Sequence, residues 1–514
     1  MMTPLNIALI HPDLGIGGAE RLVVDAAIGL QDQGHRVTIY TSHCDKNHCF
    51  EEIKRGDLKV VVVGDFLPTN ILGKFFILCA NLRQLALVFK LVINGSIDKH
   101  DLFIVDQLST CVPLLHLFSA SGRVLFYCHF PDQLLAQRKS LVSKLYRVPF
   151  DLLEQLTMGC SDSVVVNSYF TRSVFFDTFK ILRLNPRVVY PCVAMDELPI
   201  EKIDIGFYDQ IIGPNNRYYL SINRFERKKD IALALNAFKA SKEGHSSDTK
   251  LIICGGYDSR VAENVEYLSE LQLICEKANI AHVTIFYSEF SRTPEHYTFP
   301  TGVREKKVIF LASISSSLKE LLLKKAQLLL YTPSREHFGI VPLEAMKHGT
   351  PVLAVDNGGP LETVVTLKSD NQDTATGWLR RADAGIWAEA IDEQAEYVKK
   401  NPGIFATNGP KWVKDKFSRD AMTSSFLHNI DNIFMTDRVI QPWAVMVILA
   451  ASYILWRSSH VFGDACRYIY LLTGGILVLR SRYLLAIFWV LLFVMQPQLS
   501  VGVDTITATL KPKL

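Results

Sequence analysis

Between Asn6 and Thr41 a short apolar run (Asn6 to Ile10) leads through a glycine-rich loop (Asp13 to Gly18) into a helical period (Gly18 to Gln33). A second strand-like run, Val37 to Thr41, follows. The same order returns further on, with a strand at Tyr218 to Ile222, a helix near Asp230 to Ser241 and a strand at Lys250 to Cys254. Strands separated by a helix pair in parallel, because the crossover needs a dozen or more residues and packs back onto the sheet. The restart after the Pro/Gly/Asn-rich stretch from Pro199 to Asn216 therefore predicts two consecutive doubly wound α/β domains. A chain of 514 residues has room for two such cores and an appendage. The expected division is a first domain at 1–198, a linker at 199–216, a second domain at 217–400, a helical region crossing back at 401–437 and a tail at 438–514.

The tail stands apart in composition. Residues 442–456, 468–479 and 483–495 are almost wholly apolar, with Trp and Tyr near several ends, and they raise the mean hydropathy to +0.16. Such a tail belongs in or on a membrane. Arg480 and Arg482 interrupt its longest run, and a spanning helix needs about 20 apolar residues, so a hairpin, two short tilted helices or re-entrant segments fit as well as a clean span. A buried helix pair is the structural alternative. The stretch Ile71 to Ile93, punctuated by Lys74, Arg83 and Lys90, reads as an interfacial amphipathic helix or a core helix, with a transmembrane span third. Ser288 to Lys307, with Pro294, Pro300 and Gly302 and no period, reads as an exposed loop.

With 55 Lys+Arg against 52 Asp+Glu, the net charge of +3 argues against a general nucleic-acid binder. The 10 cysteines are scattered without a CxxC pair, so reduced thiols are expected, and the N-terminus has no secretory signal pattern. The body should face the cytosol. The single sequon, Asn94-Gly95-Ser96, is then a chance occurrence.

Three segments can carry chemistry. In the loop Asp13 to Glu20, Gly17 and Gly18 let backbone amides approach an anion at the start of a helix, although the spacing is not a GxGxxG fingerprint and a plain tight turn would look alike. After the first strand of the second domain, Arg224 and Lys229 lie beyond the carboxyl end of a parallel strand, where open sheets bind ligands, and could neutralise a diphosphate. Arg227 and Lys228 read as a solvated face. In Leu328 to Met346 an apolar strand runs into a polar loop and a helix, with Pro342 in the first turn. The amides of Phe338, Gly339 and Ile340 would point at a phosphate. Phosphate repels carboxylates, so Glu336 and Glu344 must bind hydroxyls, the first a sugar and the second a ribose diol.

Taken together, the Glu336/Glu344 segment, the glycine-rich first loop, Arg224 with Lys229, and His129 in Tyr127-Cys128-His129-Phe130-Pro131-Asp132 resemble a retaining glycosyltransferase of family four with the GT-B fold, and within it the dolichol-pathway mannosyltransferases. The resemblance spans about residues 3–435. It implies two Rossmann-like domains facing a cleft, plus the hydrophobic membrane tail. It also implies transfer of mannose from GDP-mannose to a dolichyl-diphosphate chitobiose carrying one mannose, first alpha-1,3 and then alpha-1,6, at the cytosolic side of the endoplasmic reticulum membrane. Arg224 and Lys229 would hold the diphosphate, Glu344 the ribose, Glu336 the donor mannose, and His129 the sugar near its reacting carbon, while Gly17 and Gly18 would offer amides to the phosphate. Many relatives have glycine where this chain has Asn223 and Asp230.

An acceptor with a polyprenyl chain requires the first domain to sit against the bilayer. Gln133 to Phe150 interleaves Arg138, Lys139, Lys144 and Arg147 with apolar residues, as a surface-docking helix would, or as an ordinary amphipathic crossover would. No tightly bound cofactor is expected. No Asp-x-Asp occurs, so a required divalent metal is not expected either. Other dolichol-pathway glycosyltransferases are implied partners. The alternatives are another lipid-directed transferase of this fold, such as one moving N-acetylglucosamine to a phosphoinositide, or a non-catalytic membrane scaffold.

Overall fold

The computed structural model describes residues 3–438 apart from 137, 139, 183, 214 and 215. Nearly all of the hydrophobic tail, and Lys139 of the basic segment, lie outside the described residues. The chain forms two compact units. Among the described residues, one holds 3–166, 175–187 and 426–438, and the other holds 167–174 and 188–425.

The first unit is built on seven strands, β1 (Asn6–His11), β2 (Arg36–Thr41), β3 (Lys59–Val62), β4 (Leu102–Asp106), β5 (Arg123–Cys128), β6 (Ser163–Val166) and β7 (Arg187–Val188), in the order 3-2-1-4-5-6-7. Ile7 pairs with Val37 on one side and Leu102 on the other, both in parallel register. All residues of β4 and β5 are buried, as strands covered on both faces must be. Helix Gly18–Asp32 packs Leu22, Val23, Ala26, Ala27 and Leu30 inward at helical spacing. Helix Phe76–Ile93 is long and apolar enough to cross a membrane, yet it buries Cys79, Arg83, Gln84, Leu87, Val88 and Leu91 in this unit. Arg83 donates to the carbonyls of Gly64 and Ser42 and to Asp65. Its inner face is thus a core face, and Phe76, Leu82, Phe89 and Ile93 are left exposed.

The second unit has β8 (Arg217–Ile222), β9 (Thr249–Gly255), β10 (His282–Phe286), β11 (Val308–Ala312), β12 (Leu328–Tyr331), β13 (Val352–Val355) and β14 (Gly377–Arg380), ordered 10-11-9-8-12-13-14. One expectation is corrected here and another is refined. The presumed linker contains helix Lys202–Ile211, whose Phe207, Tyr208 and Ile211 are buried in the core of this unit. The segment at 288–307 is exposed over most of its residues, as expected, and is anchored by a few aromatic side chains. Helix Tyr287–Arg292 is followed by short turns, and Phe290, Tyr297 and Phe299 gather around Phe207, with ring centroids 4.7 Å apart for Phe207–Phe290. Aromatic side chains satisfy one cluster from irregular backbone, so no sequence period announces it.

Each sheet reverses its winding once, between β1 and β4 in the first unit and between β8 and β12 in the second. Loops diverge there, and the carboxyl ends of the flanking strands open onto a natural binding crevice.

Candidate functional site

At the reversal point of the second unit, the β8 and β12 loops are tied together. Thr332 Oγ1 donates to the Lys229 carbonyl at 2.6 Å, and Lys229 Nζ donates to Glu336 Oε2 at 2.7 Å. Arg224 is 64% exposed, its Nη1 3.3 Å from Glu226 Oε1, which leaves most of the guanidinium open to a ligand. Its stem runs over Gly256, where a Cβ would come 3.2 Å from Arg224 Cγ. Asp230 takes a left-handed conformation (φ 47°), one that glycine adopts freely and Asp tolerates better than most. Asn223 is buried, its amide bonded to the Cys254 carbonyl. Arg227 pairs with Glu266 and Glu270, and Lys228 with Glu226, on the surface.

Beyond β12, Arg335 (φ 55°) and Gly339 (φ 84°) are both left-handed. The turn at Gly339 closes over Tyr331, whose ring would lie 3.2 Å from an added Cβ. Helix Ile340–Lys347 starts at once, so its first amides have no intrahelical acceptor and carry the positive end of the helix dipole. Phe338, Gly339 and Ile340 lie at that end. Glu344 Oε1 accepts from Lys319 Nζ at 2.8 Å, while its Oε2 is buried with no hydrogen-bond partner among the described residues. An unsatisfied buried acceptor costs about 1–3 kcal/mol, and a ligand hydroxyl would relieve it.

Lys319 and the glycine pair at 358–359 were missed in the sequence. Arg335 N donates to Asn357 Oδ1 at 2.6 Å and Gly359 N to the Glu336 carbonyl at 2.7 Å. A Cβ on Gly358 would stand 2.7 Å from that same carbonyl, and one on Gly359 would overlap the Phe338 backbone. The Asn357-Gly358-Gly359-Pro360 run after β13 was the available signal. Lys319, on helix Ser316–Lys325, had none, since its contact is purely tertiary.

At the reversal point of the first unit the chemistry differs. Asp106, at the end of β4, is 2% exposed. One oxygen lies 2.9 Å from His11 Nδ1, at the end of β1, and the other 2.7 Å from His129 Nε2, just past β5. Glu20 Oε1 is 3.9 Å from His11 Nε2. Burial alone would lower the His11 pKa, but hydrogen bonds to Asp106 and Glu20, with their charges, raise it to about 9. Burial pushes Asp106 upward, and the charge of His129 with the hydrogen bond of His11 brings it down to about 2. The Glu20 carboxylate lies over Gly17, whereas Gly18 is open. Any anion approaching these amides meets Glu20 first, so Gly17 is a poorer phosphate contact than its sequence suggests. His11 and Asp106 were not singled out in the sequence.

The basic segment is also corrected. It divides into a short helix, Asp132–Leu135, and helix Leu141–Met158. Arg147 is buried, 2.5 Å from Asp132 and 3.4 Å from Asp151, and Arg138 lies 2.8 Å from Asp151. These arginines hold the loop and are not free for a surface. Lys144 is exposed. The face turned outward is apolar, with Leu141, Val142, Leu145, Val148 and Leu152 all at least half exposed. Phe75 meets Tyr146 edge-on, ring centroids 5.4 Å apart, which brings up the tight turn Ile71–Lys74. At its tip, Leu72 is 94% exposed with φ 52°.

Comparison with known proteins follows the two units. Glycosyltransferase Family 4 matches residues 16–197, and Glycosyl transferases group 1 matches 207–298 and 304–401. Alpha-1,3/1,6-mannosyltransferase ALG2 of Saccharomyces cerevisiae is 52% identical over 491 residues, covering 95% of this chain and 97% of the relative. The Candida glabrata protein of that name is 58% identical over 83% of this chain and 92% of its own. Among solved structures, sucrose-phosphate synthase of Thermosynechococcus elongatus superposes with a TM-score of 0.58 at 18% identity, covering 84% of this chain and all of that one. The catalytic domain of starch synthase IV from Arabidopsis thaliana reaches 0.60 at 13% identity, with 84% and 100% covered. These structural neighbours share the two-domain parallel-sheet fold, GT-B.

Proposed function

Since the chain belongs to the alpha-1,3/1,6-mannosyltransferases of glycosyltransferase family 4, we propose that its donor is GDP-mannose and its acceptor a dolichyl-diphosphate chitobiose carrying one mannose, extended first alpha-1,3 and then alpha-1,6. The chain is a glycosyltransferase enzyme with alpha-1,3/1,6-mannosyltransferase activity in the dolichol pathway. The observation that carries the donor reading is at the second unit's reversal point, where Lys229 meets Glu336 just ahead of helix Ile340–Lys347, Glu344 on that helix meets Lys319, and Arg224 stands exposed past the end of β8. Arg224 and Lys229 take the diphosphate, with the amides of Phe338, Gly339 and Ile340. Glu344 Oε2 receives a ribose hydroxyl, Glu336 the mannose, and His129 a sugar hydroxyl. The cations that offset the diphosphate are the chain's own.

In this reading the acceptor oxygen bonds to the anomeric carbon on the face from which the diphosphate leaves, and the acceptor's proton passes to a diphosphate oxygen. No carboxylate is assigned as a nucleophile, so the protein's part is mainly electrostatic. Arg224, Lys229 and the helix-end amides stabilise the charge that builds on the leaving group. The apolar face of helix Leu141–Met158, with the turn Ile71–Lys74, rests on the endoplasmic reticulum membrane from the cytosolic side. Other dolichol-pathway glycosyltransferases are proposed neighbours there.

Purified protein given radiolabelled GDP-mannose and a phytanyl-diphosphate trisaccharide should add two mannoses. Transfer of N-acetylglucosamine to a phosphoinositide instead, or no transfer at all, would contradict the reading.

A further inference from the structure

Asp106 stands at the middle of three adjacent strand ends, on the reversal point itself, with an imidazole on each side. Removing a carboxylate from water is expensive, and a buried ionic cluster is often no more stabilising than the apolar residues that could replace it. Stability alone therefore gives little reason to place one here. The cluster is also graded in exposure. His11 and Asp106 are buried and His129 is 21% exposed, so only the last can meet a ligand.

His129 Nε2 lies 2.7 Å from Asp106 Oδ1, off the hydrogen-bond axis but close enough for the carboxylate charge to draw the ring hydrogen to that nitrogen, and Nδ1 is the nitrogen left to meet a substrate. A carboxylate partner selects the tautomer with hydrogen on Nε2, which makes Nδ1 an acceptor. The second oxygen of Asp106 is held by His11, and His11 in turn faces Glu20.

We propose that Asp106 is a positioning residue for mannose transfer, setting the tautomer and orientation of His129 so that Nδ1 accepts a hydrogen bond from a sugar hydroxyl, and that His11 anchors Asp106 in that position. This rests on the reading that His129 serves the transfer. An amide at 106 keeps the shape but can donate to Nε2, placing the hydrogen on Nδ1 and turning the acceptor into a donor.

The test compares Asp106→Asn, His11→Asn and His129→Ala in the full-length protein, by steady-state kinetics with GDP-mannose and a short-chain acceptor and by titration with GDP. Asp106→Asn should lower kcat on the order of 10²-fold, as loss of an oriented transition-state contact does, with GDP affinity and donor KM within about 3-fold of wild type. His11→Asn should fall about 10-fold, and the double variant should be no worse than Asp106→Asn, because both act through one ring. An active Asp106→Asn beside an impaired His129→Ala would overturn the positioning role and leave the site reading standing. A fully active His129→Ala would overturn that reading. Should Asp106→Asn not fold, His11→Asn decides: reduced kcat with intact GDP affinity supports the proposal, and wild-type kcat, or a loss carried by KM alone, defeats it.

Discussion

The two sheets reverse at equivalent places and arm those places oppositely. In the first unit the reversal point holds a carboxylate with an imidazole close to each oxygen, with His11 and Asp106 at 1% and 2% exposure. In the second it holds cations that are exposed, like Arg224, or engaged with half-buried carboxylates, like Lys229 on Glu336 and Lys319 on Glu344. Topology fixes where a ligand can sit, and the side chains fix what kind. The first cluster is set before anything binds. The second can exchange partners, because a lysine released from a carboxylate is ready for a phosphate.

The largest break in this contrast should come from the exchangeable side. Lys229→Ala and Arg224→Ala should each slow transfer by about 10² to 10³, some 2.7 to 4 kcal/mol of transition-state stabilisation, with unchanged folding by circular dichroism. Near-normal rates would remove both from the charge-stabilising role.

Next is Gly359→Ala, which must push the Phe338 segment aside. It should destabilise the second unit by about 1–3 kcal/mol and raise the donor KM, as read by denaturant melts and kinetics.

The preset side should show itself in pH dependence. The His11 pKa is raised from 6.5 to about 9 in the fold. Its contribution is therefore complete below pH 6.5 and is lost as pH rises through 9. Over that window the first unit should lose on the order of 2–3 kcal/mol, measured as protease resistance in urea, and His11→Asn should flatten the slope. A slope that persists in the variant would place its origin elsewhere.

The smallest effect concerns the membrane face. Lys144→Gln should change turnover of lipid-embedded acceptor by no more than about 5-fold, because one exposed lysine near anionic lipid is worth only about 1 kcal/mol. Leu72→Asp with Leu145→Asp should impair that substrate more than a short-chain analogue. Equal losses on the two acceptors would count against apolar docking.

Much of the fold was legible because parallel strands buried on both faces announce themselves as apolar runs between helical periods. The placement of Arg224, Lys229, Glu336 and Glu344 beyond strand ends was legible too, since each lies in a strand–loop–helix run of the sequence. What stayed hidden was tertiary. Asp106 reads as the polar end of an apolar strand until β1 and β5 bring His11 and His129 to its two oxygens. Lys319 reads as a surface lysine until its helix packs beside Glu344. The basic segment misled in the opposite way. Arg138 and Arg147 look free at helical spacing, but Asp132 and Asp151 return to claim them. Charge pairing across a loop cancels what a linear count adds.

Calorimetric titration of GDP into the full-length protein, wild type against Arg224→Ala and His129→Ala, tests the division of labour most directly. The nucleotide should bind Arg224→Ala at least about 10-fold more weakly, in line with a lost charged contact to phosphate, and should bind His129→Ala as it binds wild type. Undiminished affinity in Arg224→Ala would contradict the assignment of the diphosphate to the second unit's exposed cation.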